Sequence, residues 1–128
     1  MTFIEAKIAN PQTGRNGTTV KFLVDTGAYL SVVPSPVLNK LGTHPFTRRQ
    51  FRLADGKHIA RRVGTARFEI EKYVGEAVVI FGEKNDEPLL GVITLESLGL
   101  TVDPRSRKLK PTEMYLMKIS DPINRQLV

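Results

Sequence analysis

The chain contains no cysteine. That excludes disulfides, cysteine-bound zinc and thiol catalysis, and it fits a cytoplasmic protein. No apolar run approaches the ~18 residues of a membrane-spanning helix, so no membrane role is expected. The opening Met1-Thr2-Phe3-Ile4-Glu5-Ala6-Lys7 lacks the basic-then-apolar layout of a signal peptide, because Glu5 and Lys7 interrupt it. The two histidines, His44 and His58, stand 14 residues apart with no third ligand in pattern, so neither a metal nor another cofactor is expected. Phosphate-binding glycine loops and serine-nucleophile motifs are absent as well.

Acid is scarce in one stretch and base in another. From Thr26 to Phe68 there are eight Lys/Arg and one acid, a net of +7, while Glu69 to Asp103 holds two Lys and eight acids, a net of −6. Such asymmetry suits an acidic ligand, two surfaces that complement each other, or a pair of solvated strand faces. The basic cluster from Arg48 to Arg67 has few aromatics about it (Phe46, Phe51, Phe68), so nucleic acid is not the expected partner.

The 128 residues suffice for one domain with a real core. Phe3 to Ala9 alternates apolar and polar as a half-buried strand does. A turn cluster from Asn10 to Gly17 leads to a second strand, Thr18 to Val24. Tyr29 to Val33 reads as a strand stopped by Pro34, and Ser35 to Gly42 as a short helix capped by Ser35, with Pro36 in its first turn and Gly42 just past its end. Arg49 to Ala54 and Lys57 to Val63 flank Asp55-Gly56, a preferred pair for a two-residue hairpin turn. Thr65 to Glu71 and Glu76 to Phe81 are further strands. A helix of two turns around Thr94 to Leu98 ends at Gly99, and Leu100 to Val102 returns as a strand. Many short strands with one or two short helices predict a small, closed, barrel-like all-β fold. The domain is expected over residues 1–111. Residues 112–128 follow as one strand, carrying Met114 to Ile119, and a loose tail from Ser120.

Chemistry concentrates in Phe22-Leu23-Val24-Asp25-Thr26-Gly27-Ala28. Three apolar residues run into a turn that begins with an acid. A carboxylate at the end of a buried strand is costly unless it is hydrogen-bonded or shares a proton, which makes Asp25 a candidate for general acid/base work. Asp-Xaa-Gly is also common turn chemistry. A second motif, Leu89-Leu90-Gly91 with Val92 to Leu100 after it, separates the two readings.

Together the motifs resemble the retropepsin-like (retroviral-type) aspartic proteases, and the chain is most similar to small prokaryotic single-domain members, which end in a familiar Leu-Gly-Leu-Thr-Val-Asp-Pro. The resemblance implies a homodimer with one Asp-Thr-Gly per protomer, joined through the Asp25 loops and acting on peptide or protein. It implies that Asp25, Thr26 and Gly27 are catalytic and that Ala28 lines the cleft. Leu53, Ala54, Asp55, Gly56 and Lys57 would form the tip of a flap over the substrate. Leu89 and Leu90 would pack beneath the catalytic loop, with Gly91 giving clearance. Tyr29 departs from the family, where a small or polar residue often follows Asp-Thr-Gly-Ala. A catalytically silent peptide- or protein-binding domain of the same fold is the alternative.

Overall fold

The computed structural model describes residues 1–14 and 17–112. Strands β1 (Phe3–Ala9) and β2 (Thr18–Val24) form an antiparallel hairpin, with Phe3 opposite Leu23. Short β3 (Ser31–Pro34) leads into helix α1 (Ser35–Lys40). Strands β4 (Thr47–Arg52), β5 (His58–Ile70) and β6 (Tyr73–Gly82) then run as a meander. Two-residue β7 (Leu89–Leu90) precedes helix α2 (Val92–Ser97), and β8 (Leu100–Val102) pairs with β9 (Leu109–Pro111).

One sheet runs β1-β2-β7-β3-β6-β5-β4, and β1 also pairs with β5, through Lys7 opposite Glu69. Six strands thus close into a ring, with β4 left outside it. This is the expected barrel-like all-β fold. Inward-facing residues of the ring fill its centre: Ile8, Phe22, Val33, Phe68, Val79, Phe81 and Leu90 are all fully buried. Phe22 and Phe68 meet with ring centroids 6.0 Å apart. Each such side chain contributes about 1.5–3 kcal/mol through burial.

Four details differ from the sequence expectation. Gly64 does not divide two strands. It lies within the 13-residue β5, where a Cβ would come within 2.8 Å of the Phe81 ring and 3.1 Å of the His44 carbonyl oxygen. The residue is glycine to admit a neighbour, not to break the strand. Strand β3 starts at Ser31 rather than Tyr29. Ser35 is the first helical residue rather than the cap; Pro34 holds the cap position, and the Ser35 hydroxyl donates to the Gly82 carbonyl at 2.7 Å. The β4–β5 turn has three residues rather than two. Arg52 lies opposite His58, Leu53 N–H donates to Lys57 C=O at 2.8 Å, and Gly56 N–H donates to Leu53 C=O at 2.9 Å. Gly56 has φ +89°, the left-handed conformation that such a turn requires and that glycine adopts freely. The strand and tail expected beyond Thr112 lie outside the described residues. Among the described residues, no helix is long and apolar enough to cross a membrane.

Candidate active site

Asp25 is the first residue past β2, and the backbone fixes it at three points. Its N–H donates to Leu90 C=O at 3.1 Å, and its C=O accepts the Ala28 N–H at 3.1 Å. Its carboxylate Oδ1 accepts the Gly27 N–H at 2.9 Å. Oδ2 has no partner among the described residues. Asp25 and Ala28 are half-buried, and Thr26 and Gly27 are exposed. In the single chain the acid is therefore held on a tight turn that opens to solvent. The Thr26 hydroxyl has no hydrogen-bond partner among the described residues.

The second motif is joined to this turn. Leu89 and Leu90 pair in parallel with Leu23 and Val24, and Leu90 is fully buried. At Gly91 the backbones come so close that a Cβ would lie 2.7 Å from the Leu30 carbonyl and 2.9 Å from the Tyr29 oxygen. Helix α2 has no side-chain cap. Its first amides instead donate to the Asp25 loop: Val92 N–H to Ala28 C=O at 3.0 Å and Ile93 N–H to Tyr29 C=O at 3.1 Å. The donors that a helix start leaves unpaired are met by the carbonyls of the turn that carries the acid. This also explains why β3 begins late, since the Ala28 and Tyr29 carbonyls already serve α2. Tyr29 itself is 71% exposed.

Two residues that the sequence did not single out complete the arrangement. The Ser31 and Thr94 hydroxyls lie 2.6 Å apart, both fully buried, and Ser31 Oγ accepts the Gly91 N–H at 2.9 Å. A buried amide without that partner would go unsatisfied, so the pair fixes the junction of β3, β7 and α2. The only signal in the sequence is one serine leading a valine pair and one threonine within an apolar run.

Residues Leu53, Ala54, Asp55, Gly56 and Lys57 form the exposed hairpin tip. Asp55 Oδ1 accepts the Lys57 N–H at 3.0 Å, which shapes the turn. Among the described residues, no hydrogen bond or ion pair joins this tip to the Asp25 loop. The structure thus brings residues 25–28 and 89–91 together and, among the described residues, shows no polar link from either to residues 53–57. Register places Phe51 opposite Ile59, on the face away from Arg48, Arg52, His58 and Arg62.

Two other aspartates, Asp86 and Asp103, have other duties. Asp86 forms a two-pronged ion pair with Arg61, Nε to Oδ2 at 2.7 Å and Nη2 to Oδ1 at 2.9 Å. The Arg61 hydrogen bonds hold its carboxyl below the usual aspartate range. Asp103 Oδ1 accepts the N–H groups of Arg105 and Ser106, which lower its pKa likewise. Part of the charge asymmetry is also met inside the chain, because Arg61 pairs with Asp86 and Glu83, and Arg67 with Glu76. Among the described residues, no group of three His, Asp or Glu side chains is arranged to hold a metal ion.

Comparison with known proteins places the fold and the family. Among solved structures, the simian foamy virus (mac) protease matches with a TM-score of 0.52 at 23% identity, over 74% of this chain and 92% of that one. The foamy viral protease-reverse transcriptase, solved in complex with an RNA/DNA hybrid, matches with a TM-score of 0.51 at 15% identity; the match covers 96% of this chain but only 14% of that one. These likenesses show a shared fold. No curated protein matches. The sequence profile of the gag-polyprotein putative aspartyl protease family matches residues 12–97, a span that takes in both the Asp25 turn and Leu89-Leu90-Gly91. A match over two-thirds of the chain places it in the retroviral-type aspartyl protease family.

Proposed function

We propose that the chain is an aspartic endopeptidase that works as a homodimer, with residues 1–111 as the protease domain. The observation that carries this reading is the Asp25 turn. Asp25 is fixed by two main-chain hydrogen bonds and by one from the Gly27 N–H to its carboxylate, yet it opens to solvent, while Asp55, Asp86 and Asp103 each hold turns or ion pairs of their own. Amide hydrolysis needs an activated water and a proton for the leaving nitrogen. Two carboxylates that share one proton do both jobs, and one chain supplies one of them. Asp25 of a second copy would supply the other, across a two-fold axis.

The ionised carboxylate takes a proton from water as the oxygen attacks the carbonyl carbon. The protonated one gives its proton to the carbonyl oxygen. The carboxyl that took the water's proton then gives it to the nitrogen, the C–N bond breaks, and a hydroxyl of the tetrahedral diol returns its proton to the other carboxylate, which restores the shared state. Close like charges cannot both ionise, which keeps one proton on the pair at working pH. The hairpin tip would close over an extended peptide, pair with its backbone and exclude water. Phe51 and Ile59 share a face and would meet apolar side chains beside the cut. The cysteine-free composition fits action in the cytoplasm.

The test is cleavage of a diverse peptide library by the wild-type protein and by Asp25→Asn, with and without pepstatin. Pepstatin-sensitive cleavage is expected from the wild type, with at least a thousandfold loss in Asp25→Asn at unchanged melting temperature. Cleavage by a pure Asp25→Asn protein would overturn the assignment. Specific peptide binding without cleavage would favour the silent binding domain.

A further inference from the structure

We propose that Arg61 and Asp86 are positioning residues that seat the base of the β4–β5 hairpin on the β6–β7 loop and set the point about which the hairpin pivots. The proposal rests on reading that hairpin as the flap.

Beyond Val63 the hairpin has little support. Strand β6 pairs with β5 only from Val63 onward and β1 only at residues 67–69, so His58 to Arg62 have β4 alone as a neighbour. A lone two-stranded ribbon is marginal in water. This one also sets Arg48 opposite Arg62 and Arg49 opposite Arg61, and like charges in direct register repel. Its orientation must be fixed where it leaves the ring.

Arg61 does this. Its side chain is 15% exposed and that of Asp86 22%, and both prongs of the pair are close, at 2.7 and 2.9 Å. Glu83 lies 3.7 Å from Arg61 Nη1, and Nη1 also donates to the Ala60 carbonyl at 3.0 Å. A planar fork on a carboxylate fixes direction as well as distance. Asp86 is itself immobilised, because its Oδ2 accepts the Glu83 N–H at 2.7 Å and its own N–H donates to Glu83 C=O at 2.9 Å. Two residues on, the Pro88 carbonyl accepts the Leu23 N–H at 3.0 Å, and the Leu90 carbonyl accepts that of Asp25. The ion pair therefore links the hairpin base, through one short loop, to the strand that delivers the acid.

The neighbouring arginine takes a different hold. Arg62 Nη2 lies 3.2 Å from Ser35 Oγ, and its guanidinium sits 5.2 Å from the centre of the Phe81 ring. Gripped by two successive arginines, the hairpin can swing only outboard of them.

Amide hydrogen exchange of the full chain tests this, comparing the wild type with Asp86→Asn and Arg61→Lys. Lysine keeps the charge but not the fork, so it decides the matter if the asparagine variant does not fold. The expected result is exchange at least tenfold faster for ladder amides of residues 47–52 and 58–62, with β1–β2 amides within twofold of wild type. On a cleaved peptide, KM should rise severalfold with kcat changed less than twofold. Uniform acceleration of all amides would reduce the pair to general fold support and overturn the proposal, as would no acceleration anywhere. The exchange result stands whether or not any peptide is cleaved, so failure of the pivot and failure of the protease reading are told apart.

Discussion

At the level of single side chains, the junction behind the acid depends on Ser31. Its hydroxyl accepts the Gly91 N–H and bonds Thr94 in a fully buried junction. Ser31→Ala would strand that amide and unpair the Thr94 hydroxyl. We expect a loss of about 1–3 kcal/mol in urea unfolding, with Asp25 still present but less well placed. Gly91→Ala would press a methyl group into the Leu30 and Tyr29 carbonyls. Backbone cannot yield as a side-chain tip can, so a cost of about 1–3 kcal/mol is expected there too, read the same way. Asp25, Gly27 and Gly91 stood out as candidates in the sequence because they fall within short motifs. Ser31 and Thr94 did not. They stand 63 positions apart, and a buried polar pair has no local pattern until folding joins its halves. Asp86 was read as a loop acid, because nothing in Glu83 to Glu87 announces which of three acids will meet an arginine from β5.

Strands and helices were legible wherever apolar residues alternated between strong turns, as in β1 and β2. Boundaries failed where a residue served a partner distant in sequence. Gly64 resembled a break because the Phe81 edge that demands it is 17 positions away, and Ser35 resembled a cap because the Gly82 carbonyl that occupies it lies on another strand. The link between the β4–β5 hairpin and the β6–β7 loop has a pH signature. Asp86 has a folded pKa below its ordinary 3.8. A lowered folded pKa gives stability that is present in full above the unfolded value and lost as pH falls through the folded one. The contribution should therefore hold through pH 5 and fade below about pH 4. Melting temperature against pH should show wild type and Asp86→Asn converging in that acid range, with the gap between them constant above it.

For the molecule as a whole, the ring of strands is complete in one chain while the proposed dyad is not. Activity should therefore depend on association. Specific activity should fall on dilution, in step with a monomer–dimer equilibrium followed by sedimentation. Asp25→Asn protein mixed with wild type should poison it, because a mixed pair keeps one acid. A fully active monomer would mean that a second acid in the same chain does the work. The closed ring was foreseeable from the number and brevity of the strands. The exclusion of β4 from it was not, because edge status is set by which neighbours remain once the ring has closed. One consequence of that arrangement is mechanical. Strand β5 runs unbroken for 13 residues, with Phe68 in the core at one end and the hairpin turn at the other. It is a lever held near Val63, and from there to the Lys57 end of the ladder the arm is about 20 Å at strand rise. A tilt of about 3° in the barrel would carry that end ~1 Å sideways. Repacking around Phe22 and Phe68 would then shift the hairpin tip and alter how firmly the proposed flap holds a peptide.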